Sequence, residues 1–447
     1  MKNKLTKVEF LSVSLMLFGM FFGSGNLIFP PMLGNMAGTS LFPGLLGFAT
    51  TSVVFPVLGI LAIAKTNGVE NLGRRVGATF AMIYTAVIFL AMGPGIAIPR
   101  NGSLAFEMSV VPCLSEDSNL VIWRFVYTLV FFGIAYYLCL TPSKLVSRMG
   151  KILTPMLLTL ILIFFLGSVF KLPVDIARPH EDYANPFLTG FLKGYDTMDA
   201  LASLNFGLVV ALTIRNFKVN DDKKVIGYAS KAGLLAGLLL FAVYAMLAYI
   251  GQISSVRYEG ASNGGSLLFE ITNQVFGPFG AVILILIFTL ACLTTVIGLI
   301  TSVSNFFTDF TGGRVPYKVW TTTFTLISLA LANFGLENIL KFSVPILVSI
   351  YPVAIVLIVM ALLQDLLNFD NLAYKSTVYV TLFISILQAL KVAKIQLPLV
   401  HDMVSKLPLA SNGLEWVLPF ILTLVLSTLL SKVVGRPNIK EKVRNNI

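Results

Sequence analysis

Four small or polar residues, Gly23-Ser24-Gly25-Asn26, interrupt an apolar run that extends from Val8 to Leu33. Glycine weakens a helix, and Asn bonds its own backbone in place of helix bonds. The run therefore reads as two half-helices, 8–22 and 27–33, with an unwound centre. At such a break the last carbonyls of one half and the first N–H groups of the next lack intrahelical partners. The N–H groups of Ser24–Asn26, at the positive end of a helix dipole, favour an anion such as a carboxylate. The carbonyls of Gly19–Phe22 favour a cation. Hydrocarbon cannot satisfy freed backbone groups, so a break at this depth belongs inside protein or beside a water-filled cavity. A small-xxx-small helix contact also uses glycines, but it explains neither Asn26 nor Pro30-Pro31.

A second set lies in the run 189–213, which holds Asp196, Thr197, Met198, Asp199, Ala200, Ser203, Asn205 and Phe206. If this run also unwinds, carbonyls near Met198–Ala200 accept bonds from an ammonium group, and Ser203 and Asn205 add side-chain contacts. Asp199 is an ionisable group in an apolar run, which marks it for function. The other reading places Asp196 and Asp199 at the headgroups. Phe206 either walls an apolar pocket or is plain packing. A third set is Ala291, Thr294 and Thr295. A hard cation wants oxygen ligands. The Ala291 carbonyl and both hydroxyls can join the carbonyls of Gly19 and Phe22 in a cage. Equally, threonine hydroxyls bond back to the preceding turn, and spacing leaves both readings open. Arg100 is either an outer-gate cation, with Glu107, Asp196 or Asp199 as partner, or a side chain snorkelling to headgroups. Lys151 reads as snorkelling, and Glu9 as an interfacial or gate residue.

These groups need a membrane scaffold to hold them. The 447 residues are 56% hydrophobic and only 12% charged, with a mean hydropathy of +0.87, far from a soluble composition. Twelve apolar stretches long enough to cross a bilayer fall at about 8–33, 42–64, 76–99, 119–140, 150–170, 189–213, 225–251, 278–308, 318–335, 339–364, 376–393 and 413–434. The alternating segments of a β-barrel are missing. The first run is too long for a cleaved leader, and more spans follow it. With the N-terminus in the cytoplasm, most of the 32 Lys and Arg residues fall on the cytoplasmic side, which orients the chain and puts both ends inside. The net charge of +11 is thus a topology signal. The basic residues are scattered over many loops, so no nucleic-acid partner is expected.

Cys113, Cys139 and Cys292 have no metal spacing. The two histidines, His180 and His401, fall in outer loops, which argues against an intramembrane metalloenzyme or His-based triad. No phosphate loop of the GxxxxGK[ST] form is present, so an ATP-driven pump is not expected. Residues 1–447 read as one membrane domain. The interrupted runs one and six suggest two repeats, 8–170 (spans 1–5) and 189–364 (spans 6–10), with 376–434 as two added spans. Five spans per repeat make the repeats inverted. The segment 260–276 carries Leu267, Leu268, Ile271 and Val275 at helical spacing, either as an outer lid or as a surface helix.

The runs FFGSGNLIFPP at 21–31, LAMGPGIAIPR at 90–100 and DTMDALASLNFG at 196–207 closely resemble the bacterial branched-chain amino acid:cation symporters, the BrnQ or LIVCS family. The resemblance spans nearly the whole chain. It implies an inner-membrane importer of leucine, isoleucine and valine, coupled to Na+ or H+. A more distant resemblance links the GxGN, SLxFG and AxLT[ST] patterns to the LeuT-type sodium symporters. It implies a sodium site at Gly19, Phe22, Ala291, Thr294 and Thr295. It places Ser24, Gly25, Ser203 and Phe206 around a bound amino acid, to which the residue reading adds Gly23, Asn26, Met198, Asp199, Ala200 and Asn205 as substrate candidates. Asn26 also matches an Asn of a second sodium site, but the Thr that accompanies it falls on Leu201, which has no side-chain oxygen. The outer-gate Arg of those symporters falls near Phe29.

The expected molecule is all-α, with twelve transmembrane helices in a LeuT-type 5+5 inverted repeat plus two C-terminal helices. It is expected to be no enzyme and to need no cofactor beyond Na+ as coupling ion. Its partners are a branched-chain amino acid, the sodium ion and the lipid bilayer. The alternatives are proton coupling through Asp199 or Lys151, and a sensor that binds without transporting.

Overall fold

The computed structural model describes residues 4–66, 68–395 and 404–433. His401 and the basic residues at 2 and beyond 433 lie outside them. The described residues form helices and no strand. The first run is α1 (Lys7–Phe21) and α2 (Ser24–Ala37). The second is α3 (Leu41–Ala49), a π-helical stretch Thr50–Val54 and α4 (Phe55–Thr66), followed by the short α5 (Val69–Arg74). The third is α6 (Ala78–Leu90), a π-helical stretch Ala91–Gly95 and α7 (Ala97–Ser109). Then come α8 (Leu120–Cys139), a π-helical stretch Val146–Leu153 and α9 (Thr154–Lys171). The sixth run is α10 (Pro186–Tyr195) and α11 (Asp199–Asn216). The remaining helices are α12 (Asp222–Ile253), α13 (Gly264–Phe276), α14 (Pro278–Phe310), α15 (Tyr317–Ala332), α16 (Leu336–Leu367), α17 (Asn371–Val392) and α18 (Val417–Val433).

Among the described residues eight helices are long and apolar enough to cross a membrane, or nine if the bent pair α10–α11 is one span. That measure gives fewer crossings than the twelve expected from the sequence. One reason is that the first break leaves α1 with only 15 residues, while α2 runs on into the second run as a single stretch, Ser24–Thr66. Exposed Val121, Phe125, Val130, Leu162 and Leu166 on α8 and α9 suit a lipid-facing surface.

The chain divides into two compact units, Met1–Ile60 with Met92–Ile339, and Leu61–Ala91 with Leu340–Ile447. In the second unit α17 packs on α18. The Tyr84 hydroxyl there donates to the Ile350 carbonyl (2.8 Å), and Lys65 pairs with Asp365 (2.8 Å). All candidate site residues belong to the first unit.

In the first unit, bare backbone makes the closest helix contacts. A Cβ at Gly34 of α2 would lie 1.8 Å from the Ala248 carbonyl oxygen of α12, and one at Gly251 would lie 1.9 Å from that of Pro31. The pair α3–α10 is built the same way: a Cβ at Gly47 would sit 1.9 Å from the Phe187 oxygen, and one at Gly190 1.9 Å from the Gly44 oxygen. Small-residue packing of this kind is how helices associate without a hydrophobic driving force. It is done here by glycines other than Gly23 and Gly25. The segment 260–276 contains α13, whose Leu267, Leu268, Ile271 and Val275 are buried, and Gly264 lies against the Ile28 carbonyl of α2. Glu9 closes a capping box with Thr6 at the start of α1.

Candidate functional site

The break in the first run is built by one rerouted bond. In an unbroken helix the Gly23 N–H would bond the Gly19 carbonyl. It donates instead to the Phe21 carbonyl (2.8 Å) and to Asn26 Oδ1 (3.1 Å). The Gly19 oxygen is left facing Thr295 Oγ1 of α14 at 3.5 Å. Across the break, Ser24 donates through its N–H (3.2 Å) and its hydroxyl (3.0 Å) to Asn101 Oδ1 of α7. Of the three N–H groups that the sequence offers to an anion, Ser24's is therefore engaged. Gly25 and Asn26, in the first turn of α2, keep theirs.

The second break bends α10 against α11 by 45°. Met198 turns the chain with a left-handed φ of 64°, a conformation that costs a non-glycine residue about 1–3 kcal/mol and clusters at functional sites. The turn makes Asp199 the first residue of α11. It is buried inside the protein. Its Oδ2 accepts from Asn26 Nδ2 (2.6 Å) and from the Tyr244 hydroxyl of α12 (3.3 Å), and Asn26 Nδ2 also meets that hydroxyl. Asn26 thus bonds one break to the other. Both break residues and their partners are fully enclosed, so each unpaired polar atom there would cost about 1–3 kcal/mol.

The two breaks line a cavity of about 30 Å³. Gly23, Ser24, Gly25 and Asn26 form one wall and Thr197, Met198 and Asp199 another. Met20, Phe21, Met92, Ala202 and Leu299 give it an apolar side. Room for water but not for an amino acid means that a larger occupant must displace these side chains, and methionine adapts easily.

The structure places four expected substrate residues elsewhere. Asp199 and Ala202 of α11 line the cavity, while Ala200, Ser203 and Asn205 do not. The Ser203 hydroxyl bonds back to the Ala200 carbonyl (2.6 Å). The Asn205 carbonyl accepts from the Ser302 hydroxyl (2.9 Å), while its buried side-chain amide has no partner. Phe206 packs edge-on behind Phe21, ring centres 5.2 Å apart.

Both readings of the threonines are realised in part. Thr294 Oγ1 donates back to the Leu290 and Ala291 carbonyls (3.0 Å each), which keeps Ala291 and Thr294 together. Thr295 reaches across to Gly19 instead. Phe22 ends α1 at this level, its ring stacked on Phe18. A third element joins them. Thr154, the first residue of α9, is fully buried, its hydroxyl has no partner among the described residues, and it would lie 2.3 Å from a Cβ at Gly19. The site is therefore a set of oxygens from three elements around Gly19.

Arg100 does not snorkel: it is buried, lines the cavity and reaches Met198 Sδ at 3.5 Å. Glu107 is not its partner. Two turns further along α7, that carboxylate faces α8 and binds Arg124 at 2.9 Å. Lys151 is exposed. Sequence reasoning missed Asn101, Tyr244 and Thr154. Asn101 stands beside Arg100 in an apolar run and was the most visible of the three. Tyr244 and Thr154 carry no local signal.

A family model described as branched-chain amino acid transport protein matches residues 6–434. The chain is 40% identical over 441 residues to the branched-chain amino acid permease BraB of Bacillus subtilis, covering 97% of this chain and 98% of the relative. It is 37% identical to the branched-chain amino acid transport system 2 carrier protein of Pseudomonas aeruginosa (96% and 97% covered). It is also 37% identical to the permease BrnQ of Lactobacillus delbrueckii subsp. lactis (94% and 96% covered). These relatives are transporters, not enzymes. Among solved structures, the chain is similar to Mhp1, a nucleobase-cation-symport-1 family transporter, with a TM-score of 0.56 at 13% identity over 95% of this chain and 93% of that one. It is similar to MhsT in complex with L-phenylalanine, with a TM-score of 0.53 at 14% identity over 97% and 99%. At such identities the likeness fixes the fold alone, an all-helical LeuT-type transporter fold. The chain is a multi-pass membrane protein and belongs to the branched-chain amino acid transport protein family.

Proposed function

We propose that this protein imports leucine, isoleucine and valine by symport with Na+, across the bacterial inner membrane and with both termini cytoplasmic. The observation that carries this reading is the single break between α1 and α2. Its carbonyl side faces Thr295, and its N–H side lines the cavity that holds Asp199. The substrate α-carboxylate lies on the free N–H groups of Gly25 and Asn26, at the positive end of the α2 dipole. The ammonium group faces Asp199. The aliphatic side chain packs on Met20, Phe21, Met92 and Leu299. A charged side chain is rejected there, because burying it unpaired is costly.

Na+ sits among the oxygens of Gly19, Phe22, Ala291, Thr294 and Thr295. The partnerless Thr154 hydroxyl beside Gly19 supports an oxygen-binding cation at this point, since a buried polar atom needs a partner. The repeat division 8–170 and 189–364 is part of the proposal. It is supported by reciprocal packing, with the sixth run on the second and the first on the seventh. Proton coupling is the second reading. It is favoured by the burial of Asp199 against two neutral partners, Asn26 and Tyr244.

Leucine uptake into proteoliposomes under a sodium gradient or a pH gradient alone tests both. Accumulation driven by sodium at constant pH is expected. Accumulation driven only by the pH gradient overturns sodium coupling, and no flux under either gradient overturns the substrate assignment.

A further inference from the structure

Arg100 is the strongest charge that the site leaves unused. It sits on the first turn of α7, after the non-helical Gly93 and Ile96, so the third run is broken at the same place as the first and sixth. Ala97, Arg100 and Asn101 share one helix face, and all three line the cavity. Asn101 is occupied with Ser24. Arg100 has no such employment. Its side chain bonds a thioether sulfur, Met198 Sδ, a weak acceptor. Among the described residues no carboxylate lies within ion-pair distance of it, whereas Arg74, Arg124 and Arg215 each have one. Glu107 is held by Arg124 and Asp199 by Asn26 and Tyr244, while Asp196, exposed in the break, acts on Arg100 only from further away.

A buried guanidinium with no anion at ion-pair distance is expensive, and proteins rarely keep one without a use. Its planar fork is suited to two-point binding of a carboxylate. The same cavity presents the Asp199 carboxylate on another wall, more than ion-pair distance from Arg100. Two opposite charges held apart in one small cavity match the two ends of a zwitterion.

We propose that Arg100 is the counter-charge for the α-carboxylate of the transported amino acid, clamping it against the N–H groups of Gly25 and Asn26. Arg100 is thus a specificity residue for free α-amino acids, not an outer gate. This rests on the amino-acid reading of the cavity given above. Arg100 selects for the backbone of the substrate, while the apolar wall selects its side chain.

The test compares L-leucine with L-leucinamide, which keeps the ammonium and side chain but replaces the carboxylate with a neutral amide. Each is titrated by thermal shift and by displacement of [³H]leucine, in saturating sodium near pH 6.5, on the purified full chain and on Arg100→Gln and Arg100→Lys. The wild type is expected to prefer leucine by on the order of 100-fold, the loss typical of stranding a buried charge. Arg100→Gln should bind leucinamide about as the wild type does and leucine hardly better, so the preference collapses to a few-fold. Arg100→Lys should restore part of it.

An unchanged leucine preference in Arg100→Gln overturns the proposal. So does an equal weakening of both ligands, as a gate or a structural role would give, and so does a folded Arg100→Gln that binds neither ligand. If Arg100→Gln does not fold, Arg100→Lys decides alone: a wild-type preference in that variant counts against a two-point clamp. A wild type that binds no leucine at all counts instead against the amino-acid reading itself.

Discussion

Replacing Asp199 with Asn tests the other end of the cavity. The amide has nearly the shape of the carboxylate and keeps an oxygen where Asp199 Oδ2 now accepts from Asn26 (2.6 Å) and Tyr244 (3.3 Å). Both hydrogen bonds survive, somewhat weakened, and what is lost is the negative charge. In the free protein that loss is harmless or helpful, because neither partner is a cation and a buried unpaired charge is a burden. The apparent melting temperature should hold or rise.

With leucine bound, the same change strands its ammonium group in a closed cavity. Breaking one partner from a buried pair costs about 3–5 kcal/mol. At ~1.4 kcal/mol per decade this weakens leucine binding roughly 150- to 4000-fold. The assay is equilibrium binding of [³H]leucine to purified protein in saturating sodium, with 4-methylpentanoate as a competitor that lacks the amino group. Wild type should prefer leucine strongly, and Asp199→Asn should lose that preference. A folded Asp199→Asn that binds leucine within about 3-fold of wild type, far less than the loss expected for a stranded charge, refutes the argument. If its uptake then also loses all dependence on a pH gradient, Asp199 carries the coupling proton instead.

Two further changes probe the cation side and the scaffold. Thr154→Val keeps the shape and removes one oxygen beside Gly19. At about 1.5–3 kcal/mol for a bond to a charge, the sodium concentration for half-maximal leucine binding should rise about tenfold or more, with binding at saturating sodium unchanged and Thr154→Ser near wild type. An unaltered sodium titration would show that hydroxyl to be structural. Gly251→Ala drives a Cβ to 1.9 Å from the Pro31 carbonyl, which is backbone and cannot rotate away. Separating α12 from α2 should cost about 1–3 kcal/mol or more and lower the apparent melting temperature by several degrees, measured by fluorescence-detected thermal unfolding.

Much of this was legible in the chain because breaking a membrane helix needs residue types that stand out in an apolar run. Gly23-Ser24-Gly25-Asn26 announced the first break, and the break appears between α1 and α2. Asp196–Asp199 announced the second, which falls between Tyr195 and Asp199. What was not legible is which face each half-helix turns inward. Ser203, Asn205 and Phe206 are the right types for a binding wall, yet Ser203 bonds back within its own helix, Asn205 meets α14 and Phe206 packs on Phe21. Asn101, Tyr244 and Thr154 come from three different runs. Their roles exist only because tertiary packing brings them to the breaks, and no local pattern encodes such a meeting.

Under the proposed function, Asn26 is what would let one break serve two ligands. Gly19 has a free carbonyl only because the Gly23 N–H has turned to Phe21 and to Asn26 Oδ1. The other end of the same Asn26 side chain is bonded to Asp199. An ammonium group arriving at Asp199 competes with Asn26 Nδ2 for the carboxylate. The Asn26 side chain, its Gly23 bond and the orientation of the Gly19 carbonyl then move together. Under the proposed sodium symport, sodium and substrate affinities would be linked through this one side chain, and linkage between binding events is reciprocal. Asn26→Ala should therefore do more than weaken leucine binding. The ratio of leucine affinities at saturating and zero sodium, about 5- to 150-fold for coupling of ordinary strength, should fall toward one, and sodium binding should lose its dependence on leucine to the same degree. A variant that binds leucine less tightly but keeps the wild-type ratio would place the coupling elsewhere, in the rigid movement of α1 and α2 rather than in the bonds at their junction.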